Sequence, residues 1–194
     1  MGIVLELATA AKAAGREKKP MTAAGKKVRQ SVVEVLVQEP QWDTLMPDYE
    51  ALIRKAVETT LAATDIFHFI FTAECSVMLA NDAVIRELNR QFRAKDKATN
   101  VLSFPSYCIN PASMQEVAKI EEHPLYLGDI ILSADTAKRE AEEQGKSFAH
   151  HITHLAVHAT LHLLGYDHKT ESDAAVMEPL EVKILKGLGV ADPY

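Results

Sequence analysis

The segment from His150 to His168, HHITHLAVHATLHLLGYDH, constrains this chain more than any other, because it holds six of the eight histidines at spacings that dictate their arrangement. A helical pattern runs from about Phe148 to Leu164, and Gly165 stands where the helix must stop. On an α-helix, residues four apart are offset by about 40° around the axis and about 6 Å along it. His158 and His162 therefore project side by side from one face, while Val157, Leu161 and Leu164, with Leu155, are expected to anchor the opposite face in the core. Gly165 can adopt a left-handed conformation that reverses the chain and returns His168 to the same point.

Three neutral imidazoles can share one divalent ion and leave a fourth position for water. That is the arrangement of a catalytic zinc, whereas a structural zinc is closed by four protein ligands that usually include thiolates. The expectation is one Zn2+ per chain on His158, His162 and His168 plus water. An ion so held lowers the pKa of its water from 15.7 to roughly 7, so hydrolysis is the expected chemistry. His154, one turn back on the same stripe, fits a hydrogen-bonded partner of the ligands or a fourth ligand. His150 and His151 read as solvated residues at the helix start, and Asp167 as a base, a partner of the ligands or a cap on the turn.

Elsewhere, strands are interleaved with helices without a strict βα repeat. Strands are expected at Val28–Val37, Ile66–Glu74, Thr99–Pro105 and Leu125–Ser133, the third of them buried and the last with a glycine inside it. Helices are expected at Tyr49–Ala63, Asn81–Phe92, Asp135–Gln144 and Ser172–Lys186, the last disturbed by Pro179. Asn110 to Pro124 reads as a loop. The fold class is α+β: a single small mixed sheet layered with helices, the metal site at the end of a long central helix and the following turn. Residues 1–27, broken by Gly15, Pro20 and Gly25, read as a tail, and residues 28–194 as a single hydrolase domain.

A chain of 194 residues can bury about 70% of the surface that it exposes when unfolded, so it needs no metal merely to fold. Cys75 and Cys108 lack ligand spacing and suit buried hydrophobes in a reducing compartment. No apolar run approaches the roughly 18 residues of a membrane span, and Met1 to Gly15 lacks the pattern of a secretory signal; a cytoplasmic protein is expected. The net charge of −6 argues against a protein that coats nucleic acid. Arg86, Arg90, Arg93, Lys95 and Lys97 nevertheless cluster against only Glu87 and Asp96, a basic patch that would attract a phosphate backbone.

The spacing HxxxHxxGxxH is shared with metzincin proteases, but their motif places a glutamate directly after the first histidine as general base, and here that position is Ala159. HATLHLLGYDH instead resembles the HGxLHLLGYDH signature of the YbeY family, differing only at Ala159. LNRQFRAKDKATNVLSFP (Leu88 to Pro105) and LGDIILS (Leu127 to Ser133) resemble further family blocks, and the ending LGVADPY is similar to the family's tail. The resemblance spans roughly Tyr49 to Tyr194. It implies a single-strand-specific, metal-dependent endoribonuclease acting in 3′-end maturation of the small-subunit (16S) ribosomal RNA and in ribosome quality control. Single-stranded RNA and the small ribosomal subunit are the implied partners, His158, His162 and His168 the metal ligands, and Arg93 the functional arginine. A metzincin-like protease and a non-catalytic RNA-binding assembly factor with a structural metal remain the alternatives.

Overall fold

Four segments rich in β-branched and long apolar residues pair into one sheet: β1 (Gln30–Val37), β2 (Thr72–Ala80), β3 (Val101–Pro105) and β4 (Leu125–Ser133). The computed structural model describes residues 30–70, 72–107 and 124–194. The expected tail 1–27, Cys108 and the expected loop from Asn110, apart from Pro124, lie outside the described residues. The sheet order is β1-β2-β4-β3, parallel except for β3, which runs antiparallel to β4 at the edge.

Seven helices complete the described residues: α1 (Gln41–Leu45), α2 (Tyr49–Ala63), α3 (Ile66–Phe69), α4 (Asp82–Arg93), α5 (Ala134–Glu143), α6 (Phe148–Leu163) and α7 (Glu171–Gly187). None is long and apolar enough to cross a membrane. Side-chain caps start three of them: Asn81 accepts from the amide of Val84 (3.1 Å), Ser147 from that of His150 (3.2 Å) and Thr170 from that of Asp173 (3.2 Å). On one sheet face, Ile85 and Leu88 of α4 pack on Met78, Leu102 and Ile131. On the other, Ile53, Val57 and Leu61 of α2 and Ile152, Leu155, Ala159 and Leu163 of α6 pack on Val33, Val77, Ile130 and Leu132. Beyond them, Met177, Ile184 and Leu185 of α7 close on Ala156, Val157 and Leu161 of α6, so α6 lies between the sheet and α7. The expected α+β layering is therefore observed.

Two local expectations need correction. Ile66–Glu74 is not one strand: Ile66–Phe69 forms a turn of helix that closes with Ile70 N–H on the Ile66 carbonyl (3.2 Å), and the strand begins at Thr72 and continues to Ala80. Ile66 and Ile70 both reach the core from that turn, a burial that the periodicity of so short an apolar run could not distinguish from a strand. β3 is an edge strand only partly buried, rather than a buried one. The helix expected at Ser172–Lys186 is present as α7, which continues through Pro179, a disruption of about 3 kcal/mol offset by the packing of Met177 before it and Ile184 and Leu185 after it.

The glycine inside β4 has a reason. Between β2 and β4 the register shifts, Glu74 facing Tyr126 and Cys75 facing Gly128, so Leu127 is an extra residue in a bulge. Gly128 sits at φ 137°, a conformation that L-residues rarely adopt, with the backbone of β3 directly over it.

Candidate metal centre

Between His151 and Leu164 every side chain of the α6 segment is buried except those of His154, His158 and His162. The helix thus meets solvent along a single stripe of histidines. Core packing on all other sides fixes its rotation, and with it the direction of the three imidazoles. At its end Gly165 takes φ 83°; its amide donates to the His162 carbonyl (3.1 Å) and the Tyr166 amide to the Leu161 carbonyl (3.1 Å), the paired bonds of a Schellman turn. The reversed chain brings the His168 ring to 5.1 Å from that of His158 and 5.2 Å from that of His162, centroid to centroid.

The three expected ligands therefore converge: one nitrogen from each of His158, His162 and His168 lies within 4.8 Å of the others. His158 Nε2 and His162 Nε2 are 3.1 Å apart. Two nitrogens held at about 2.0–2.1 Å from a tetrahedral ion stand roughly 3.3 Å apart. The chemistry of the pair supports the same reading. His162 Nδ1 faces the Tyr166 carbonyl at 2.9 Å, an acceptor only, so the ring proton resides on Nδ1. His158 Nδ1 likewise faces the Glu181 carboxylate at 3.1 Å. Both Nε2 atoms are left as lone pairs pointing at one another, an arrangement that a shared cation relieves. Burial, the largest cause, pushes the His162 imidazolium down to about pKa 4, so this ring is in its ligating, neutral form at neutral pH. The residues present fit a divalent ion with three imidazole ligands.

Glu181 escaped the sequence reading. It is 0% exposed, on α7, and accepts at Oε1 from His158 and from His154, whose Nε2 is 3.5 Å away, while the Tyr194 hydroxyl donates to Oε2. Burial alone would raise its carboxyl; the hydrogen bonds from His154, His158 and Tyr194 outweigh that and hold it below the usual range, hence ionised. The legible signal is a lone carboxylate at helical spacing among the apolar Met177, Ile184 and Leu185. A carboxylate behind a ligating histidine fixes its tautomer and raises its basicity. His154, His158 and Glu181 also form a second group whose ligand atoms lie within 4.8 Å. Glu181→Gln keeps the shape and removes the charge. We expect metal affinity to fall about 10–100-fold, read by competition with a chromophoric chelator; unchanged affinity would deny Glu181 this role.

The remaining candidates fall elsewhere. His151 is buried at 3% exposure rather than solvated, its Nε2 2.9 Å from Glu140, which also accepts from Asn100 Nδ2 at 2.8 Å. Asp167 accepts from the His168 amide (2.9 Å) and pairs with Lys169 (2.7 Å), so both its oxygens serve the turn. In the basic run, Arg86 forms a two-bond pair with Asp96 and Arg90 one with Glu87. Arg93 Nη2 donates to the Ser103 carbonyl of β3 (3.2 Å), a strand packed against α6. It touches the backbone beside the histidine helix rather than the rings themselves.

The chain is also similar to known proteins. The family model described as Endoribonuclease YbeY matches residues 36–189. Proteins named Endoribonuclease YbeY from Bradyrhizobium diazoefficiens (47% identical, covering 84% of this chain and 85% of the relative), Rhodopseudomonas palustris strain BisA53 (45%, 83% and 88%) and Cereibacter sphaeroides (46%, 84% and 98%) are similar over most of their length. The solution structure of TM1509 from Thermotoga maritima shares the fold, with a TM-score of 0.51 at 23% identity over 80% of this chain and 87% of that one.

Proposed function

Because this chain belongs to the YbeY endoribonuclease family, we propose that it is a metal-dependent endoribonuclease that cuts single-stranded RNA at the centre formed by His158, His162 and His168. The observation that carries the reading is the convergence of three imidazole nitrogens within 4.8 Å, with His158 and His162 turned Nε2-inward by acceptors behind them. A divalent ion there, zinc by the preference of an all-imidazole set, would supply Lewis acidity toward a phosphoryl oxygen and acidify a water.

The chain's own groups do the rest. Glu181 and the Tyr166 carbonyl orient two of the rings. The Schellman turn at Gly165 delivers the third. Arg93 spends one of its five N–H groups on Ser103 and keeps the others for a phosphate, which a guanidinium can grip through two parallel hydrogen bonds. The family resemblance extends the proposal to 3′-end maturation of small-subunit ribosomal RNA and ribosome quality control in the cytoplasm. The absence of a carboxylate at Ala159 disfavours a metzincin-like protease.

The test pairs metal analysis with cleavage of a labelled single-stranded oligoribonucleotide. Wild-type protein is expected to carry one metal ion per chain and to cut the strand. Arg93→Ala is expected to retain the metal and to lose about 100-fold in rate, the scale of removing one donor to charge that develops in a transition state. A fully active Arg93→Ala would remove the arginine from the mechanism; wild-type protein that binds metal but leaves RNA intact would remove the nuclease reading.

A further inference from the structure

Phe92, in the last turn of α4, is 39% exposed, one of the large apolar side chains that the fold leaves in water. Its ring meets Phe104 of β3 near edge-on, centroids 5.3 Å apart and planes at 71°. Phe104 in turn packs on the cluster of Met78, Leu88, Leu102 and Ile131. Such a contact holds a ring in place while leaving part of its surface uncovered.

The surroundings of that ring are cationic and built. Next to it, Arg93 is tied to Ser103, the neighbour of Phe104. Ala94 then takes the left-handed conformation at φ 55°, the Lys95 amide donates to the Asn89 carbonyl (3.2 Å), and the buried Asn89 side chain donates to the Lys97 carbonyl (2.7 Å). The loop that carries Lys95 and Lys97 is thereby fastened to α4. Arg86 and Arg90 are neutralised by Asp96 and Glu87, whereas no carboxylate among the described residues pairs with Arg93, Lys95 or Lys97. An exposed aromatic surface thus stands beside three uncompensated positive charges.

We propose that Phe92 is a base-stacking platform for single-stranded RNA: one unpaired nucleobase lies on the uncovered part of its ring, and Arg93 and Lys95 take the flanking phosphates. The proposal rests on the nuclease reading above and adds how the strand is selected. Every base offers a π-face, so stacking is tolerant of sequence, but in a duplex those faces are hidden against neighbouring bases. A platform of this kind admits unpaired strands and leaves paired ones outside.

The experiment uses the full chain, metal-replete, with a single-stranded oligoribonucleotide and its duplex. Phe92→Ala is expected to raise KM for the single strand by roughly 5–100-fold with kcat little changed. Phe92→Leu, which keeps apolar contact with Phe104, should be as impaired, and Phe92→Trp should restore KM. The chain's one tryptophan, Trp42, is fully buried, so emission of the Phe92→Trp variant reports on the new site; it should be quenched by the single strand and not by the duplex. If wild-type protein cuts RNA while Phe92→Leu matches it in KM, or while the new tryptophan ignores saturating RNA, the platform is overturned and the exposed ring belongs to a protein contact. Wild-type protein that neither binds nor cuts RNA would overturn the nuclease reading itself.

Discussion

Replacing His162 with alanine is expected to abolish bound metal at micromolar concentrations and to reduce RNA cleavage to background while the protein stays folded. The ring supplies one of three convergent nitrogens, so the loss should exceed the roughly 10–100-fold that removal of an outer partner costs. His162 is a cleaner choice than His158. Its other nitrogen serves only the Tyr166 carbonyl, half-buried at the turn, whereas deleting His158 also takes a donor from the fully buried Glu181 carboxylate and adds a cost of about 1–3 kcal/mol to the fold. Metal content by mass spectrometry, thermal unfolding and cleavage, measured on the same preparation, separate these effects. A His162→Ala protein that retains one ion per chain and full activity would sink the assignment of the centre.

The second large effect is on the fold. Gly128→Ala should prevent β3 from pairing with β4 and leave the protein unfolded or grossly destabilised. An added methyl would run into the Phe104 carbonyl oxygen and come within 3.0 Å of Pro105 Cα and Ser106 N, all of them backbone atoms that cannot rotate away. The backbone at φ 137° adds strain of about 1–3 kcal/mol for any L-residue. Together these approach the whole margin of a typical domain, about 5–15 kcal/mol. Because Ser103 and Phe104 of β3 also position Arg93 and Phe92, a variant that did fold should have lost RNA cleavage disproportionately to its metal content. Urea unfolding within about 1 kcal/mol of wild type would show that the β3 backbone moves aside freely.

Much of the architecture near the centre is legible in the sequence, since it depends on local geometry. Helix periodicity and the Gly165 stop define α6 to within a residue or two. Leu125–Ser133 is a strand at its expected bounds because its apolar run is bracketed by turn and cap residues. The run Ile66–Glu74 misled for the opposite reason: a four-residue helix and a strand both accept such a run, and only the burial of Ile66 and Ile70 against the sheet selects between them. His151 looked solvated because it stands in the first turn of its helix, yet α5 packs on α6 and Glu140 meets its ring.

From the sequence alone came the two imidazoles on adjacent turns, the glycine bend that follows them and a third imidazole within reach after it, because helix spacing and a glycine stop are local geometry over a dozen residues. Tertiary packing alone decided that Glu181, twenty-three positions from His158, stands behind that ring, and that Phe92 meets Phe104 across the sheet edge. Those pairs arise from how two elements cross, and a crossing is set by the summed fit of many side chains that no local pattern encodes.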